Sequence, residues 1–138
     1  MSLFDVFDIA GSAMSSESVR LNVTASNLAN AQSIGPDEKS TYHARHPVFS
    51  AVIQSLQGGQ PSSMGVKVDG IVESHAPLEQ RYEPGHPMAN EDGYVFMPNV
   101  NLVDEMSNMI SASRSYQSNV EVLNTSKQLM LATLRLGQ

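Results

Sequence analysis

Apolar residues recur every seven positions through the last forty residues of the chain, and neither Gly nor Pro interrupts the run from Asn99 to Leu136. Leu102, Met109, Tyr116, Leu123 and Met130 form one column, and Met106, Ser113, Val120, Lys127 and Leu134 interleave with it at alternating steps of four and three. Such a seam belongs to a coiled coil about five heptads long. The pattern predicts one helix reaching Leu136, a rod of roughly 50 Å. Near the other end, Phe7, Met14, Leu21 and Leu28 are also seven apart, with Gly11, Ser18 and Ala25 between them. Small residues at alternate seam positions let a partner helix come close. No Pro occurs before Pro36, so the first helix is expected from about Leu3 to Ala31. Two long terminal helices can pair antiparallel within one chain or with other copies, and the sequence leaves both open.

The outer faces of the second helix depart from those of a solvated helix. Val122, Leu129 and Leu136 form a further seven-spaced column, and Val103, Ile110 and Leu131 lie on another flank. Between Asn99 and Leu136 there are 15 Ser, Thr, Asn or Gln residues and 6 charged ones, where an exposed helix normally carries Glu and Lys. Short uncharged side chains can hydrogen bond at an interface without burying a charge. These faces are therefore expected to pack on neighbouring subunits. One seam does not offset the backbone entropy of about 35 ordered residues, so the isolated monomer is expected to have loose ends that order on assembly.

Residues 32–98 have a different texture. Seven of the nine Gly and all seven Pro fall here, which excludes long helices and favours short strands and turns. Gly65 to Glu73 alternates with period two as far as Asp69 and predicts a strand with a bulge at Gly70. Tyr94-Val95-Phe96 after Asp92-Gly93 predicts another, Val48 to Leu56 fits a strand or a short helix, and Ser55 to Ser63 reads as a flexible loop. The division expected is an N-terminal helix over 1–31, a small β- and loop-rich middle over 32–98 and a C-terminal helix over 99–138. The fold class is mainly α with a small β-rich insertion, its helices forming a coiled-coil layer.

Charge and composition narrow the function. The three segments carry net charges of −2, −4 and 0, and the sequence pI is about 5.0 with no Lys/Arg cluster, so nucleic acid is a poor partner. The chain has no Cys, which suits an oxidising compartment or a protein that must stay free of crosslinks. Its first basic residue is Arg20, so a cleaved signal peptide is not expected. The apolar cluster Leu129 to Leu136 is far short of the ~20 residues of a membrane span. No catalytic site assembles from the pattern. His43, His46, His75 and His86 share the middle segment but sit among turn signals. Asp5 with Asp8 and Glu91 with Asp92 are explained by helix-end and turn chemistry. No serine has a nucleophile context except Ser126-Lys127, which falls in the helical stretch, and no phosphate-binding loop is present. No enzyme activity, cofactor, metal or small-molecule substrate is expected.

Ala25-Ser26-Asn27-Leu28-Ala29-Asn30-Ala31 resembles the N-terminal signature of the flagellar rod, hook and hook-associated axial proteins. Gly93-Tyr94-Val95-Phe96-Met97-Pro98-Asn99-Val100-Asn101, preceded by Tyr82-Glu83-Pro84-Gly85-His86-Pro87-Met88-Ala89, is similar to the segment leading into the C-terminal helix of the proximal rod members. Gln32-Ser33 departs from the more usual ending in Thr, and the loop from Ile34 to Lys39 is more acidic than the family pattern. Longer distal-rod and hook relatives carry much larger middles, so the resemblance is to the minimal, proximal form. It implies a structural subunit of the bacterial flagellar basal-body rod, exported unfolded by the flagellar type III apparatus without a cleaved signal. Such subunits polymerise in the periplasm, through paired terminal helices, into a tube that transmits motor torque to the hook. The partners implied are copies of itself and other rod proteins.

The residues expected at the subunit or helix interface are Phe7, Met14, Leu21, Leu28, Leu102, Met106, Met109, Tyr116, Val120, Leu123, Met130 and Leu134. The family motif comprises Ser26, Asn27, Leu28, Ala29, Asn30, Gly93, Tyr94, Val95, Pro98 and Asn99. Asn27 and Asn30 fit either a solvated face or amides that cap or cross-link neighbouring helices. Asn101, with Asp104 three residues on, is expected to cap the C-terminal helix. A cytosolic coiled-coil adaptor is the alternative, but it should show charged e and g flanks, which are scarce here.

Overall fold

The computed structural model describes residues 3–55 and 61–136. Helix α1 spans Leu3–Asn30 and helix α2 spans Leu102–Leu136. Between them lie β1 (Arg45–Ser55), β2 (Pro61–Glu73), β3 (Glu79–Tyr82) and β4 (Tyr94–Met97). The chain is thus mainly helical with two small antiparallel sheets, β1 with β2 and β3 with β4. Of the expected loop from Ser55 to Ser63, residues 56–60 lie outside the described residues, and Pro61–Ser63 opens β2.

The β1–β2 pairing slips by one residue where Val48 faces Gly70 and Phe49 faces Val68. Asp69 is therefore the extra residue of a bulge beside Gly70, which bends and twists the ribbon. The β1 segment, open between strand and helix on sequence, is a strand because β2 completes its ladder. The hairpin lies along α1: Ser16 Oγ donates to the Val66 carbonyl at 3.3 Å, and Ser12 Oγ accepts from the Val66 N–H at 3.1 Å.

The helices pair antiparallel inside one chain. Asn27 meets Glu105, and Arg20 Nη2 donates to Asn108 Oδ1 at 3.3 Å, so the end of α1 lies beside the start of α2. Counting back from Asn27 and forward from Glu105 sets Leu3 level with Leu129. At about 1.5 Å per residue, the last turns of α2 run past the N-terminus of α1.

Small residues fill this pairing. On α2 the inward column is Glu105, Ala112, Asn119 and Ser126, flanked by Met109, Tyr116, Leu123 and Met130. On α1 the most buried positions are Ala10, Ser16, Val23, Thr24 and Asn27. The buried apolar residues are Ala10, Val23, Ala31, Ala44, Leu78, Val95 and Ala112. Only Ala10, Val23 and Ala112 of these lie on the helices, so the pairing gains little from fully buried apolar side chains.

After α1 the chain reverses through a turn at Asp37. Asp37 Oδ1 accepts the Ser40 N–H at 2.8 Å, and the Asp37 carbonyl accepts the Thr41 N–H and hydroxyl. The Ser40 backbone bond, with its hydroxyl next, holds the Asp37 carboxyl below its usual 3.8. A depressed folded pKa means the carboxylate's contribution is complete above about 3.8 and fades as pH falls through the lower folded value. In an NMR titration the Ser40 amide should hold its shift from about pH 7 to 5 and move only below the ordinary carboxylate range. Movement centred above that range would contradict the bond.

Candidate functional site: an asparagine node beneath uncovered helix faces

Asn27 is 0 % exposed, and its amide uses every hydrogen-bonding position it has. Nδ2 donates to the Arg45 carbonyl at 2.8 Å and to Glu105 Oε2 at 3.1 Å. Oδ1 accepts from the Tyr42 hydroxyl at 2.8 Å and from the Arg45 N–H at 2.9 Å. One side chain therefore ties α1 to the first residue of β1 and to α2. Ser26 supports it through a 3.3 Å contact between its hydroxyl and that of Tyr42. Asn30, one turn on, donates instead to the Ser26 carbonyl of its own helix at 2.8 Å. The two asparagines, alike in sequence, have different roles.

Asn99, from the other end of the chain, holds the neighbouring residue. Its Oδ1 accepts the Ala44 N–H at 2.7 Å, and its Nδ2 donates to the Ala76 carbonyl at 2.7 Å and to the Ser74 carbonyl at 3.4 Å. Consecutive residues Ala44 and Arg45 are thus gripped by asparagines from the two motifs. Asn101 Oδ1 then accepts the Val103 and Asp104 N–H groups at 3.0 and 3.3 Å, capping α2.

The remaining motif residues build the turn that delivers Asn99. Asn90 Oδ1 accepts the Asp92 and Tyr94 N–H groups, and Gly93 has φ of 78°. Val95 and Pro98 are buried, and Tyr94 meets Tyr82 edge to face with centroids 5.2 Å apart. A Cβ on Gly93 would come within 2.9 Å of the Tyr82 ring and 3.1 Å of Pro84 Cβ. Gly93→Ala combines a left-handed backbone with that crowding, at a cost of about 2 kcal/mol. Chemical denaturation should show a lower midpoint with unchanged slope; an unmoved midpoint would contradict this geometry.

The positions expected at an interface fall into two groups. Phe7, Met14, Leu21, Leu28, Met109, Tyr116, Val120, Leu123 and Met130 are half-buried against the rest of the chain. Leu102, Met106 and Leu134 lie outside the intrachain pairing and are exposed, Leu134 at 63 %. Leu102 and Met106 stand to the side of the inward column, and Leu134 lies on the part of α2 that overruns α1. The inward column starts one residue before Met106, at Glu105. Gly11, Ser18 and Ala25 face outward rather than into the intrachain seam. Val103, Ile110, Val122, Leu129 and Leu131 are exposed as well.

Two open grooves flank Glu105. One, of about 490 Å³, is lined by Ala44, His46, Asp104 and Glu105 together with Asn99, Asn101 and Asn108, among others. The other, of about 380 Å³, includes Arg20, Arg45, His46, Phe49 and Glu105. Among the described residues no cluster of three or more His, Asp or Glu is arranged to hold a metal ion. His43 Nδ1 lies 3.0 Å from the Thr41 carbonyl in the irregular chain just before β1, and His86 Nδ1 accepts the Met88 N–H within a turn. Sequence reasoning passed over Glu105, Arg45 and Tyr42, because nothing in the linear pattern ties an acid on one helix to an asparagine far away on another.

Residues 7–33 match the family model described as flagella basal body rod protein, and residues 91–136 match that of the flagellar basal body rod FlgEFG protein C-terminal region. Over 138 residues, spanning both chains completely, the sequence is 54 % identical to the flagellar basal-body rod protein FlgC of Salmonella typhimurium and equally to that of Yersinia enterocolitica. It is 46 % identical to FlgC of Buchnera aphidicola subsp. Schizaphis graminum, again over the whole of both chains.

Proposed function

The chain belongs to the flagellar basal-body rod protein family and is a structural subunit of that rod, and we propose that it polymerises through its two terminal helices into a tubular wall. The observation that carries the proposal is the row of large apolar residues left uncovered on α2, with Val103 74 % exposed and Met106, Ile110, Leu131 and Leu134 also open. An exposed helix of a self-contained protein would carry charge there. The interface comprises the half-buried flanks of both helices together with Leu102, Met106 and Leu134. Functionally the chain divides into axial segments 1–31 and 99–138 and a middle segment 32–98 that decorates them.

This reading assigns the protein no catalytic role, the family being a structural one. Its partners are other copies and other rod proteins, with the flagellar export apparatus engaged during secretion and the finished drive shaft carrying torque across the periplasm. No described helix is long and apolar enough to cross a membrane. The adaptor alternative lacks support, since full-length identity runs to rod proteins.

Hydrogen exchange tests the assembly requirement. A helix pair whose large apolar side chains are only half-buried has limited apolar burial to hold it in isolation. Amides of residues 106–130 in dilute chain should exchange fast and gain protection of at least about 100-fold in isolated basal bodies. Strong protection before any polymer forms would show that the helices are stable without neighbours.

A further inference from the structure

Glu105 is only 5 % exposed, yet no cation pairs with it among the described residues. Its Oε2 takes a hydrogen bond from Asn27, which leaves most of a carboxylate's acceptor capacity unused. A buried charge held by one neutral amide is costly unless a cation completes it. The bases nearest to it are committed elsewhere: Arg20 to Glu17 and Asn108, Arg45 to Glu73. Both line the second groove with His46. The first groove is lined by Asp104 and Glu105 with Asn101, Asn108 and His46, and by no Lys or Arg. Paired carboxylates and planar amides match the fork of a guanidinium better than a point ammonium.

The chain carries the complementary group itself. Arg114 is exposed on the face of α2 turned away from the inward column, and among the described residues its side chain makes no ion pair or hydrogen bond. Ser111 and Ser118 stand one turn to either side of it, leaving room for the surface of a neighbour. We propose that Arg114 of one copy enters the groove of a second copy and completes Glu105 and Asp104, so that the buried acid is a receptor satisfied only in the assembly. This rests on the rod-subunit reading and adds the charge pair that sets the register between copies.

The test uses full-length chain expressed in flagellated cells and measures its amount in purified basal bodies. Arg114→Ala should lower incorporation at least about tenfold while the thermal midpoint of the purified chain stays put, because the exposed Arg114 side chain has no hydrogen bond or ion pair among the described residues to lose. Glu105→Gln keeps an acceptor for Asn27 and should show a similar loss, and the double variant should be no worse than either single one. The natural absence of Cys makes a second measurement clean. Ser107→Cys with Ser118→Cys, too far apart on one helix to join, should give covalent multimers on oxidation of assembled rods. Incorporation of Arg114→Ala within about twofold of wild type, or no cross-link in intact rods, overturns the pairing while leaving the rod reading in place. Loss on Lys127→Ala or Arg135→Ala but not Arg114→Ala overturns the choice of arginine. Wild-type chain absent from basal bodies removes the rod reading itself, and this inference with it.

Discussion

Asn27→Ala is expected to lower the thermal unfolding midpoint by about 10 °C and to prevent incorporation into basal bodies. The substitution removes four hydrogen bonds at a site with no access to water. It leaves the Arg45 N–H and carbonyl, the Tyr42 hydroxyl and Glu105 short of a partner. Each buried group so abandoned costs about 1–3 kcal/mol, and partial relaxation or water entry into the vacated volume brings the net to about 3 kcal/mol. In a domain of this size 1 kcal/mol corresponds to about 3–5 °C. Alanine is the better helix former, so peptide-level helicity should rise while the protein weakens. Asn27→Asp discriminates further: it has the same shape but cannot donate to the Arg45 carbonyl, and it sets a second carboxylate against Glu105, so it should be the more damaging. Asn30→Ala, which loses one bond within its own helix, should cost less than about 1 kcal/mol. Equal effects at 27 and 30 would contradict the division of roles.

Leu123→Asp should abolish rods while the chain continues to be made. Leu123 is half-buried beside the inward column of α2, between Tyr116 and Met130 of the same seven-spaced row. A carboxylate there loses the apolar contact and must be desolvated at the helix junction, at about 2–3 kcal/mol per copy. Each copy in a wall repeats the penalty, so the polymer suffers more than the monomer. Electron microscopy of basal bodies should show structures ending before the rod, with the variant still present in whole-cell extracts. Intact rods and normal swimming would contradict a packed environment for this row.

The outer limits of the fold could be read directly. Uninterrupted helical stretches at both ends and the concentration of Gly and Pro between them located α1 and α2. A cap at Asn101 was visible because the local chemistry of a helix start is written in adjacent residues. The β2 bulge near Gly70 was legible for the same reason. Strand β3 was not: Glu79-Gln80-Arg81-Tyr82 has no apolar alternation and all four residues are exposed. It exists because its backbone pairs with β4, residue by residue from Glu79 with Met97 to Tyr82 with Tyr94.

Seven-residue periodicity by itself determined that α2 is a rod with more apolar faces than one partner helix can cover, because hydrophobic period is a one-dimensional property of the chain. Which column turns inward was decided by the tertiary structure. Met106, Ser113, Val120 and Lys127 looked like the second half of the seam, yet Glu105, Ala112, Asn119 and Ser126 occupy it. The α1 surface they meet is built from Ala10, Thr24 and Asn27, and close approach there rewards small and hydrogen-bonding side chains over large apolar ones. The Asn27, Arg45 and Glu105 node has the same origin. Its members are distant in sequence, and only antiparallel pairing of the two helices, with β1 starting between them, brings one amide within reach of all three.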